Sequence, residues 1–71
     1  MASRLKELRE EKNYTQLKIQ MLTGIDQSDY SKIETGKRYM TMEQAKRLAI
    51  TLDTSIDYLV GLTNERKPYS R

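Results

Sequence analysis

The stretch Thr15–Gly36, TQLKIQMLTGIDQSDYSKIETG, decides how this chain is read. Two short amphipathic segments meet at Gly24. Thr15 opens the first as a hydroxyl N-cap whose oxygen can accept a free backbone N–H, and Ile19 and Leu22 give that segment an apolar edge. Asp26 opens the second as another cap, with Asp29 three residues on, Tyr30 and Ile33 on the inner side and Gly36 at the end. The polar run from Gln27 to Lys32 therefore fronts a helix whose back is apolar. Such a helix pushes its front into a groove, and for a small basic chain the fitting groove is the major groove of DNA.

Periodicity then sets the remaining elements. A first helix is expected over Ser3–Lys12, with Leu5 and Leu8 inward and Arg4, Lys6, Glu7 and Glu10 outward. Thr41 with Gln44 makes a capping-box pattern, and Met42, Ala45, Leu48, Ala49 and Leu52 follow with the spacing of a half-buried helix. Asp53 stands at a turn where a left-handed backbone is expected. Ser55 begins a short fifth helix with Ile56, Leu59 and Val60 on its apolar side. Gly24, Gly36 and Gly61 each stand where an apolar periodicity stops, as glycines at helix C-termini do. Beyond Gly61 the polar TNERKPYSR, with the single proline Pro68, is expected to fray. With no sustained period-two alternation the chain reads as all-α, residues 1–64 forming one domain and 65–71 a polar tail.

Composition narrows the function. A chain of 71 residues holds one domain with a modest core, which a partner subunit would help to stabilise. Hydrophobic residues at 37% against 32% charged give a globular balance. No apolar run nears the ~20 residues of a membrane span, and MASRLKELREEK lacks the apolar middle of a signal peptide. A cytoplasmic protein without membrane partners is the expectation. The absence of cysteine and histidine removes disulfides, the commonest zinc sites and most nucleophile–base pairs, so no metal, cofactor, small-molecule ligand or catalytic residue is expected. A net charge of +3 permits nucleic-acid binding without demanding it.

Three pieces, LKELREEKNYTQ, LTGIDQSDYSKIETGKR and AKRLAITLDTSIDYLVGL, resemble in order and spacing the phage-repressor and Cro type helix-turn-helix (XRE) family of small transcriptional regulators, over residues 4–62. The resemblance implies a compact five-helix, lambda-repressor-like DNA-binding domain. Gln16, Ile19, Gly24, Ile25 and Ile33 fall on the family's polar anchor, core positions and turn glycine. Three positions depart: Gln20 replaces a small residue at a helix–helix contact, Thr23 an apolar one, and Tyr30 a branched aliphatic. A Gln20 amide reaching outward and a Tyr30 hydroxyl turned to solvent or a phosphate would accommodate two of them.

The resemblance makes the third helix, about 26–35, the recognition helix, with Gln27, Ser28, Ser31 and Lys32 over the bases. Their chemistry suits that role, since a glutamine amide can pair with adenine and a lysine can donate to guanine. The competing reading is an ordinary solvated face. Gln16 is expected to touch a phosphate and brace the first recognition residue, and Thr35, Gly36, Lys37 and Arg38 to meet phosphates through side chains and backbone N–H groups. Asp26, Asp29 and Glu34 cancel Lys32, Lys37 and Arg38, so binding depends on where these charges point. Asp26 and Asp29 suit the positive end of the helix dipole, and Glu34 is expected to form a partly buried ion pair with Arg9.

A homodimer on a palindromic operator is expected, with Tyr58 and Leu62 as interface residues and Ile56 and Leu59 closing the core. The leading expectation is a sequence-specific double-stranded DNA-binding regulator, a repressor. A protein–protein adaptor or antitoxin-like component on the same scaffold is the alternative, and catalysis is not expected.

Overall fold

Every helix but the first is seen to open on a side chain that caps it. The computed structural model describes residues 4–65 and residue 67; the expected helix start at Ser3 and the tail around Pro68 lie outside the described residues. Five helices follow in order: α1 (Arg4–Glu11), α2 (Gln16–Thr23), α3 (Gln27–Glu34), α4 (Met42–Thr51) and α5 (Ile56–Leu59). Among the described residues there is no strand.

The caps form as their residue types predict. Thr15 Oγ1 accepts from the Lys18 N–H at 3.0 Å, and an Asp26 carboxylate oxygen from the Ser28 N–H at 3.1 Å. Thr41 and Gln44 cap one another reciprocally, at 3.1 and 2.9 Å, and Ser55 Oγ accepts from the Tyr58 N–H at 3.0 Å. At the C-terminal ends, Gly24 is left-handed (φ 76°) and its N–H closes α2 onto the Gln20 carbonyl at 2.8 Å. Asp53 turns left-handed after α4, as expected, and Asn13 does the same after α1. The first helix thus stops at Glu11, because asparagine tolerates that conformation.

α2 packs on both α3 and α4, α4 on α5, and α5 back on α1. Leu5 and Leu8, Ile19, Ile25, Tyr30 and Ile33, Leu48, Ala49 and Leu52, and Tyr58 and Leu59 make one continuous core, with Tyr14, Met40 and Ile56 against its edge. Three expected core residues lie outside it. Leu22 is half-exposed over the shallow hollow it shares with Ile50 and Thr51. Met42, in the first turn of α4, precedes the buried stripe, which begins at Ala45. Val60 follows the last residue of α5 and turns outward.

The departures from the family pattern have local solutions. Thr23 is buried, its hydroxyl donating to the Ile19 carbonyl at 2.7 Å while accepting from the Ile25 N–H at 3.1 Å, so it closes the end of α2 and the hinge together. Gln20 reaches across to α3, where its amide oxygen accepts the Gln27 N–H at 2.7 Å. This satisfies one of the free donors of a helix N-terminus. Arg47 of α4 donates to the Thr23 carbonyl at 2.9 Å, and its Nη1 would sit 3.3 Å from a Cβ added at Gly24. The hinge therefore excludes a side chain both by backbone conformation and by crowding.

Arg4, expected outward, is instead the staple that closes the fold. Its guanidinium donates to the Tyr58 and Thr63 carbonyls at 2.9 and 2.6 Å and to Asn64 Oδ1 at 2.9 Å, and lies 4.2 Å from the centre of the Tyr58 ring. Helix α5 has a single turn and cannot persist alone, so this cation holds it against α1. Arg4→Ala is expected to lower unfolding free energy by roughly 2 kcal/mol, the worth of charged hydrogen bonds plus a cation–ring contact. Urea denaturation measures this, and Arg4→Lys should recover little of the loss because an ammonium lacks the planar fork.

Candidate nucleic-acid interface

At about 100° per residue, Ser28, Ser31, Lys32 and Thr35 share an arc of about 100° on α3. Tyr30, Ile33 and Glu34 occupy the opposite arc and are buried. Gln27 borders the exposed arc on the side of α2, where its backbone is held by Gln20, and Asp29 borders it on the other. Gln27, Ser28, Lys32 and Thr35 are exposed and Ser31 is half-buried. Among the described residues the side chains of Gln27, Lys32 and Lys37 make no hydrogen bond or ion pair. An amide and two ammonium groups are thereby left for a partner outside the chain.

The loop after α3 departs from expectation. Gly36 is left-handed (φ 81°), the Lys37 N–H bonds the Lys32 carbonyl at 2.8 Å and the Gly36 N–H bonds the Ile33 carbonyl at 3.1 Å, which is a Schellman closure. The Thr35 N–H goes to the Ser31 carbonyl at 3.0 Å, and the Thr35 hydroxyl donates to the same carbonyl at 2.9 Å. The backbone N–H groups of Thr35, Gly36 and Lys37 are thus spent on the end of the helix and are not free for phosphates. Capping outcompetes the expected role because those carbonyls have no other partners. Only side chains remain available here, chiefly that of Lys37.

The acids on this face are engaged one by one. Asp26 accepts from the Ser28 hydroxyl at 2.5 Å as well as from its N–H, and these bonds hold the Asp26 carboxyl below its usual range. Ser28 consequently meets a base N–H as an acceptor, and reaches a phosphate only by leaving Asp26. Asp29 forms an ion pair with Arg38 at 2.7 Å. The dipole role expected of Asp29 is therefore joined by a partner the sequence did not reveal.

Behind the arc, Arg9 and Glu34 form the expected pair. Arg9 Nε and Nη2 donate to the two carboxylate oxygens at 2.8 and 3.0 Å, and the side chains are only 12% and 4% exposed. Arg9 Nη1 donates in addition to the Tyr14 carbonyl at 2.8 Å, which fixes the chain leaving α1. The Gln16 amide donates to Glu34 at 3.3 Å. Gln16 thus braces α3 through Glu34, while Gln20 takes the bracing of Gln27 expected of it. The Tyr30 side chain is fully buried and faces this pair, so its hydroxyl does not reach solvent or a phosphate. Burial, then Glu34, drives that phenol above its ordinary range, and the hydroxyl lies outside hydrogen-bonding geometry.

Burial alone would raise the Glu34 carboxyl, but Arg9, the nearby Tyr30 hydroxyl and Gln16 outweigh it and hold it below the usual value. Arg9 is raised in turn, first by its bond to Glu34 and against the effect of burial. A carboxyl depressed in the folded state stabilises fully above its unfolded pKa of about 4.3 and loses that contribution as pH falls through the lower folded value. Urea titrations at neutral and strongly acid pH should therefore show a steeper acid loss for the natural chain than for Glu34→Gln. Glu34→Ala, which strands a buried arginine, is expected to cost about 3 kcal/mol at neutral pH. An unchanged melting temperature would contradict the buried pair.

The expected dimer residues divide. Tyr58 is buried, with Arg4 over its ring, and is part of the monomer's core rather than a free surface. Leu62 is 78% exposed, and exposed Val60 and Tyr39 flank a groove of about 600 Å³ between the loop after α3 and the end of α5. The Arg4 staple covers the Tyr58 ring, a long-range contact that the local sequence does not signal.

Residues 2–65 match a family model described as a helix-turn-helix domain. No curated protein and no solved structure matches the chain significantly. The match spans most of the chain, and the capped, hinged α2–α3 pair with its outward polar arc is what such a domain requires. The chain belongs to the helix-turn-helix domain family of XRE-type regulators.

Proposed function

We propose that this protein is a sequence-specific double-stranded DNA-binding transcriptional repressor that acts in the cytoplasm as a homodimer on a palindromic operator. The domain spans residues 1–64 and lays α3 in the major groove. One observation carries the reading: α3 presents unpaired Lys32 on the arc and Gln27 at its border, opposite a buried face of Tyr30, Ile33 and Glu34. Gln27 reads adenine and Lys32 guanine, while Ser28 accepts from a base N–H and Ser31 donates to a base or phosphate. Lys37 and the N-terminal turn of α2, with Gln16, meet the backbone and set the register, while Arg38 stays paired with Asp29. The dimer forms through Leu62 and the exposed Val60 beside it, placing the two recognition helices about 34 Å apart.

A protein-binding reading draws on a different feature, the outward Leu17 and Met21 of α2, which are exposed and apolar. Salt separates the two readings, since DNA affinity falls with a slope near −0.9 per phosphate neutralised. Among the described residues no helix is long and apolar enough to cross a membrane.

Selection of bound sites from random duplex DNA tests the proposal, with an inverted repeat as the expected result. On that site Gln27→Ala and Lys32→Ala should each cost about 1–3 kcal/mol and relax preference at one base pair per half-site. Lys37→Ala should weaken all sequences alike. Site preference unaltered by both Gln27→Ala and Lys32→Ala would remove the assignment of α3.

A further inference from the structure

Asp29 is the unexpected charge at this surface. It stands at the edge of the reading arc, about 60° beyond Lys32, where a carboxylate repels a phosphate backbone. The other acids of the α3 segment are absorbed into the fold, Asp26 by Ser28 and Glu34 by Arg9. Asp29 is held instead by Arg38, at 2.7 Å, with both side chains about two-fifths exposed. A pair that exposed contributes little to stability, so its presence is not explained by the fold. It also joins the first turn of the recognition helix to the first residue beyond the Schellman closure.

We propose that Asp29 withholds Arg38 from the phosphate backbone and so suppresses the sequence-independent part of DNA binding. This rests on the DNA-binding reading above. Non-specific affinity comes almost wholly from cations neutralising phosphates. An arginine already paired gains less from a phosphate, because it must leave Asp29 behind as a bare carboxylate facing the same backbone. Lys32 and Lys37 make no such pair and stay available. Base contacts through Gln27 and Lys32 do not need Arg38, so Asp29 lowers affinity without altering which bases are read.

The test compares the natural chain, Asp29→Asn, Asp29→Ser, Arg38→Gln and Asp29→Asn/Arg38→Gln, on a short duplex of randomised sequence and on the selected site. Binding is measured by fluorescence anisotropy between about 50 and 200 mM salt. Asp29→Asn and Asp29→Ser should both bind the random duplex about fivefold more tightly, with a salt slope steeper by about one unit. Agreement between the two variants excludes a new asparagine–adenine contact as the cause. The selected site should gain by a similar factor, with its base preference unchanged. Arg38→Gln should cancel the gain while changing the natural chain's random binding by less than about twofold. Circular dichroism checks folding, and the serine variant carries the test if the asparagine variant unfolds. No gain on random DNA, or a gain that survives Arg38→Gln, overturns the proposal while leaving the DNA reading intact. Failure of every variant and the natural chain to bind any duplex removes both.

Discussion

One buried ion pair constrains the rest of the molecule. Arg9 and Glu34 join the first helix to the last residue of the recognition helix, and three of the arginine's bonds leave it no freedom to move. A pair so far from water is costly to form, and its mutual bonds and those of Gln16 and the Tyr14 carbonyl repay the desolvation. The consequence is positional. The inner side of α3 is locked at its C-terminal end by charge and in its middle by Tyr30 and Ile33, which fixes the azimuth of the polar arc. Gln20 fixes the N-terminal end. A reading surface needs this rigidity, since base-edge hydrogen bonds reward placement rather than mere proximity.

The surface so positioned is frugal with charge. Backbone donors at the end of α3 close the helix on itself, the Ser28 hydroxyl serves Asp26, and Arg38 is held by Asp29. What remains is one amide and two ammonium groups, an arrangement in which recognition falls on a few side chains. A monomer with so few contacts binds weakly, and the proposed dimer would cover the exposed Leu62 and Val60 beyond the last turn of α5. In the proposed dimer, selectivity comes from doubling such a surface rather than enlarging it.

Much of the fold was legible because its signals are local. Thr15, Asp26, Thr41 and Ser55 cap helices through their own side chains, and Gly24 turns because glycine does so without strain. Asn13 carries the same kind of signal at the end of α1, in weaker form. What eluded the sequence was long-range. Arg4 and Arg47 look like ordinary exposed cations on helices, and only the packed fold brings their forks to the carbonyl ends of α5 and α2. Gln20 and Thr23 deviate in size and polarity, yet each supplies a hydrogen bond that the hinge requires. The candidate site followed the same division. Exposure of Gln27, Ser28 and Lys32 follows from helical phase, whereas the Schellman closure and the Asp29–Arg38 pair depend on how the chain returns after α3.

The central claim is that the polar arc of α3, held from behind by Arg9 and Glu34, is the face that meets DNA. Titration of the isotopically labelled protein with its selected duplex, followed by NMR, tests it most directly. The account predicts the largest perturbations at the Gln27 side-chain amide and the amides of Ser28, Ser31 and Lys32, with Leu17 and Met21 unmoved. Perturbations confined to Leu17 and Met21 on α2, with the Gln27 amide unchanged at saturation, would contradict it.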